Sequence, residues 1–166
     1  MDFAGDLPLM SAGTEGLMPE LPQYLSNMMT PVLALVVWTM IILVWLYVRR
    51  LPAMRKAGID PAKIKGSESY ASMPSINPRA VWVSDNYSHL HEQPVIFYAL
   101  CTYTHLVGVW DGLNVALAWS YVGIRIVHSL IQITTNFVPL RFMVFAIGSL
   151  VLAILAIRNV LGLFGI

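Results

Sequence analysis

The longest apolar run lies between Pro31 and Val48, where PVLALVVWTMIILVWLYV carries no charge. At a helical rise of 1.5 Å per residue, about 20 such residues cross a hydrocarbon core of ~30 Å. This run predicts a first transmembrane helix, with Pro31 in its first turn. Trp45 and Tyr47 stand where an interfacial aromatic belt would, and Arg49-Arg50 ends the span. Apolar runs return over about 86–109, 113–134 and 140–157, predicting three more spans. The second has a polar entry, NYSHLHEQ, and a short apolar body from Pro94 to Gly108. Asp111-Gly112 reads as the turn into the third span, and Asn136 to Pro139 as the turn into the fourth.

The polar segments divide the chain. Residues 1–30 contain Asp2, Asp6, Glu15 and Glu20 but no lysine or arginine, and predict an extramembrane acidic arm. They lack the basic start and apolar run of a secretory signal. The stretch Pro19 to Met29 suits a short amphipathic helix at the membrane surface. Residues 31–166 form the membrane domain, with a long loop over about 49–85. Arg49, Arg50, Arg55, Lys56, Lys63, Lys65 and Arg79 lie there or beside it, against Asp60 and Glu68. By the positive-inside rule the loop is cytoplasmic and both termini lie outside. Arg158, near the outer end of the fourth span, runs against that rule.

Composition supports a lipid-facing chain. Of 166 residues, 57% are apolar and 11% charged, where a soluble domain carries roughly 25% charged residues. The mean hydropathy is +0.68. This excludes a disordered chain, a nucleic-acid binder and an ordinary soluble enzyme. A net charge of +1 creates no general attraction for polyanions. The expected fold class is therefore an all-α integral membrane bundle of four helices.

Ionisable groups in spans are costly, roughly 2.5–3.5 kcal/mol each at a helix centre, and here they fall on lines. Asp85, His89 and Glu92 are spaced i, i+4, i+7; Arg125, His128, Gln132 and Asn136 are spaced i, i+3, i+7, i+11. Each set shares one helix face. The economical arrangement brings the faces together and pairs Glu92 with Arg125, either as a structural clamp or as the wall of a cavity open to the cytoplasm. Arg141 at the rim either snorkels to lipid phosphates or serves that cavity. No metal is expected: His89 and His91, two apart, point to opposite sides of a helix, and His89 with Glu92 offers too few ligands. His105 and His128 have nothing beside them that calls for a haem. Cys101, in an apolar run, reads as a packing residue.

The strings HEQPVIFYAL, AWSYVGIRIVHSLIQ and NFVPLRF resemble the MAPEG family, the membrane-associated proteins of eicosanoid and glutathione metabolism. Glu-x-Pro-x-x-Phe-Tyr, Ala-Trp-x-Tyr-Val and Arg-x-x-His-Ser look like its bacterial branch. The resemblance implies a homotrimer in the inner membrane that binds glutathione between subunits near the cytoplasmic side. It implies that Arg141 stabilises the glutathione thiolate, with Glu92, Arg125 and His128, and His89 and Gln132 beside them, holding the peptide. The family pattern has an arginine where this chain has Asp85, an asparagine at His89 and a tyrosine at Gln132.

Two functions follow as expectations. One is a glutathione-dependent transferase or peroxidase acting on lipophilic electrophiles in the membrane. The other is a non-catalytic scaffold or accessory subunit of a larger membrane complex, docked through its N-terminal arm, or a lipid-binding protein.

Overall fold

The computed structural model describes residues 27–59 and 77–165. The acidic arm, the surface helix expected from Pro19, and most of the basic loop lie outside the described residues. Those described form helices, the last four joined by short turns: α1 (Met29–Lys56), α2 (Pro78–His89), α3 (Gln93–Val107), α4 (Gly112–Thr134) and α5 (Val138–Leu163). α1, α4 and α5 are long and apolar enough to cross a membrane.

α1 turns its buried stripe, Pro31, Leu35, Thr39, Ile42 and Leu46, inward at intervals of three and four residues. It passes Arg49-Arg50 and ends at Lys56, two turns beyond the end expected from sequence. Arg55 and Lys56 suit that end, where unpaired carbonyls carry partial negative charge. α2 opens on Asn77, whose side chain accepts from the Arg79 amide, with Pro78 in the first turn.

The stretch expected as the second span is not one helix. α2 stops at His89, and α3 starts again after Glu92. Pro94 accounts for the break: it has no amide hydrogen, and its ring would clash with the carbonyl of Leu90 in a continuous helix. α3 alone has 15 residues, about 22 Å of helix, short of a full crossing. Glu92 is thus a residue of the break rather than of the helix face that the spacing predicts.

The core is assembled from α1, α3, α4 and α5 around Leu35, Phe97, Cys101, Val115, Ala118, Tyr121, Val122, Leu152 and Leu155. Phe97 stacks on Tyr121 with ring centroids 4.6 Å apart. α5 packs closely on α4 at Gly148, where an added Cβ would meet Ile124 Cγ2 at 3.1 Å. The outward faces are apolar: Leu33, Val44 and Val48 on α1 and Phe142, Leu150 and Ile157 on α5 are exposed. The interior, by contrast, holds Asn86, Thr104, Asn114, Arg125, His128, Ser129, Gln132 and Asn159.

Polar bonds tie the two ends of the bundle. At one end Asp111 caps α4 by accepting from the Asn114 amide at 2.8 Å. Arg158 Nη2 donates to Asp111 Oδ2 at 2.6 Å and its Nε to Asn114 Oδ1 at 2.7 Å. The arginine that runs against the charge rule is therefore a clasp between α5 and the start of α4. At the other end lie the C-termini of α1 and α4 and the N-termini of α2 and α5, and a polar cleft opens between the last turns of α2, the end of α4 and the start of α5.

Candidate functional site

The cleft has a volume of about 300 Å³ and is lined by Asp85, Ser88, His89, Glu92, Gln132 and Arg141. α2 supplies the first three, the α2–α3 break supplies Glu92, the last turn of α4 supplies Gln132 and the first turn of α5 supplies Arg141. Five of the residues that the sequence singles out, Asp85, His89, Glu92, Gln132 and Arg141, therefore meet in one place.

His89 Nδ1 bonds to Glu92 Oε2 at 2.7 Å. The i, i+3 relation survives the helix break because the chain continues through a single turn. The Asp85 carboxylate faces the cleft without a hydrogen bond or ion pair among the described residues. Arg141 Nη1 donates to Asn136 Oδ1 at 2.7 Å. Asn136 stands at φ 49°, a left-handed turn that asparagine tolerates better than most residues, and so reverses the chain between α4 and α5. That reversal brings Arg141 back beside the end of α4.

His128 lies behind His89, with ring centroids 5.1 Å apart. Its Nδ1 lies 3.1 Å from the Arg141 carbonyl oxygen. A carbonyl only accepts, so Nδ1 carries the hydrogen, and in the neutral ring Nε2 is a bare acceptor. That Nε2 is buried and unpartnered among the described residues, as are Gln132 Oε1 and Asn86 Oδ1. Asn86 spends its donor on Ser129 Oγ at 2.7 Å. Three buried acceptors on the facing sides of α2 and α4 thus lack donors. Water or ligand N–H and O–H groups are what such atoms require.

Arg125 is not where the charge argument puts it. It is 2% exposed, and it does not pair with Glu92, whose side chain is 64% exposed and turned to His89. Its Nη2 donates to Gln93 Oε1 and its Nε to Tyr121 Oη at 2.9 Å. Its guanidinium also lies 5.3 Å from the centroid of the Tyr121 ring and 5.0 Å from that of Phe145. Two aromatic faces and two neutral acceptors, rather than a carboxylate, hold this cation. The break at Pro94 turns Glu92 outward and its neighbour Gln93 inward. Arg125 supports the wall behind the cleft and is not among its lining residues.

Gln93, Tyr121 and Phe145 are absent from the sequence-based site. Tyr121 had a legible signal, lying four residues before Arg125 on the same helix. Gln93 becomes visible only once Pro94 is taken as a helix start. Phe145 packs against both His89 and His128, with centroids 5.4 and 6.0 Å away, and nothing in its apolar surroundings marks it. His105 lies at the opposite end of α3, 6.3 Å from the Trp110 ring, far in the fold from the cleft.

The family model that matches this chain is the MAPEG family, over residues 28–161. Neither a curated protein nor a solved structure matches it.

Proposed function

The chain belongs to the MAPEG family, and from that premise we propose that it is a glutathione-dependent transferase or peroxidase acting on lipophilic electrophiles in the membrane. The observation that carries this reading is the convergence of His89, Glu92, Gln132 and Arg141 on one cleft among apolar helices. A small polar molecule enters such a cleft from water, and a lipophilic one reaches its edge from the bilayer.

In this reading Arg141 is the catalytic group. A cation beside a thiol favours the thiolate, which is the nucleophile. In a transferase the thiolate attacks the electrophilic carbon, the sulfur–carbon bond forms, and the leaving group departs with its electron pair. In a peroxidase the thiolate attacks the distal oxygen of a hydroperoxide, the O–O bond breaks, and the alcohol leaves as the sulfur becomes a sulfenic acid. The thiol of a second glutathione then attacks that sulfur, displaces water and yields the disulfide. The orphaned acceptors Gln132 Oε1 and His128 Nε2 suit the amide and ammonium N–H groups of a peptide. Glu92 and His89 stand at the mouth to orient it. Arg125 holds the wall through Gln93 and Tyr121.

α2 and α3 together act as the second of four crossings, with the basic loop in the cytoplasm and both termini outside. A homotrimer in the inner membrane, as the family resemblance implies, completes the site between subunits. The unpartnered Asp85 favours a second reading, because it sets a negative charge where an anionic tripeptide would bind. A non-catalytic accessory subunit of the same fold, docking through residues 1–30, has no need of a cation there.

Calorimetry with glutathione on the full-length protein in detergent separates the two. Millimolar or tighter binding, with ultraviolet absorbance from bound thiolate, supports the enzyme. Absence of both in the native protein and in Asp85→Arg overturns it.

A further inference from the structure

A second groove lies on another face, bounded by α1, the start of α2 and the end of α4. Its volume is about 490 Å³, and Trp38, Ile41, Ile42, Trp45, Leu130 and Ile133 make most of its wall. Arg49, Arg79 and Thr134 close one end. The chemistry is graded along α1. Arg49 lies one turn past Trp45, and its guanidinium carbon sits 5.2 Å from the Trp45 ring centroid. Trp38 lies three turns further in, about 16 Å below Arg49 at helical rise.

Neither guanidinium has a hydrogen bond or ion pair among the described residues. Arg79 joins Arg49 in the groove lining because the Asn77 cap and Pro78 set where α2 starts. Residues 30 apart in sequence thus present two cations at one height, next to an interfacial tryptophan and above an apolar channel. Phosphates of a bilayer lie at that height, and acyl chains lie below it. A soluble anion would leave the channel empty, and a neutral lipid would leave the two cations unmatched.

We infer that this groove is a binding site for one anionic phospholipid. The phosphate sits between Arg49 and Arg79, and the upper part of one acyl chain lies along Ile41, Leu130 and Ile133. The rest of the lipid remains in the bilayer. The inference is independent of the thiol reading, since the groove shares no residue with the polar cleft.

The test is native mass spectrometry of delipidated full-length protein with phosphatidylglycerol or phosphatidylcholine of identical chains. Two arginines near the lipid surface lead us to expect a preference for phosphatidylglycerol of roughly 30-fold. R49Q/R79Q should erase that preference, and R55Q should keep it. Ile133→Trp, which fills the channel, should weaken both lipids. A preference below threefold in the native protein overturns the site, as does one that persists in R49Q/R79Q. Competition by millimolar glycerol phosphate as effective as that of the lipid would make it a free phosphate site, and also overturns it. If Ile133→Trp instead disrupts the oligomer and leaves lipid binding unchanged, the groove is a contact between copies and the inference falls.

Discussion

Arg125 donates its Nη2 hydrogen to the side-chain carbonyl of Gln93, across the gap between α4 and the start of α3. A buried arginine thus finds a neutral acceptor one residue away from the carboxylate that charge matching alone selects. Tyr121 Oη donates to the same Gln93 Oε1 at 3.3 Å, so Arg125 and Tyr121 share one acceptor.

That geometry makes a stability prediction. Gln93→Leu removes the acceptor and strands part of a buried cation, a loss of about 1–3 kcal/mol. Glu92→Gln should change stability by less than ~0.5 kcal/mol, since the exposed Glu92 does not touch Arg125. Thermal unfolding in detergent, run as double-mutant cycles, should find coupling between Gln93 and Arg125 and none between Glu92 and Arg125. Coupling at Glu92 equal to that at Gln93 would show a different pairing in the membrane.

Arg141→Ala should lower turnover with a generic electrophile by about 100-fold or more, the usual cost of one charge-stabilising donor. Glutathione affinity should fall less, because contacts to Gln132, His89 and Glu92 remain. Stopped-flow absorbance of the bound thiolate checks this directly. Loss of affinity with unchanged turnover at saturation would assign Arg141 to binding alone.

Asp85→Arg exchanges an unpartnered anion at the cleft wall for a cation, and should tighten glutathione binding. Removing one repulsion and adding one attraction is worth about 1–2 kcal/mol at a half-solvated site, or roughly 5- to 30-fold in Kd. Titration calorimetry at low and high salt should show the gain shrinking as salt rises.

Asp111 both caps α4 and holds Arg158. Asp111→Asn keeps an acceptor for the Asn114 amide and loses only a half-exposed ion pair, for which the expected cost is below ~1 kcal/mol. Asp111→Ala loses the cap as well, which adds about 1 kcal/mol. Melting temperatures should therefore rank native, Asn, Ala. Equal effects would assign the whole contribution to the ion pair.

Topology is open to labelling. Single cysteines placed at Glu15 and Asp60, in a chain with Cys101 replaced, test the seven-cation asymmetry of the 49–79 segment. An impermeant maleimide applied to intact cells should reach position 15 and spare position 60. Labelling at both would reverse the assignment of the basic loop.

The spans of α1, α4 and α5 were legible because a long apolar run with few or no charges has few stable alternatives to a helix in lipid. The polar faces were legible for a related reason: residues three and four apart on a helix must share a side, whatever packs against it. Asp85 and His89 accordingly line one cleft together, where Gln132 of α4, Glu92 of the break and Arg141 of α5 join them. Which groups bond was not so determined. Pro94 breaks the second span, the break rotates Glu92 to the surface and Gln93 to the interior, and Arg125 takes the neighbour it can reach. Phe145, Tyr121 and the Arg49–Arg79 juxtaposition belong to that second class. Periodicity along one helix decides which residues look the same way. Only the approach of a second helix, set by packing and by the turns between, decides what they see.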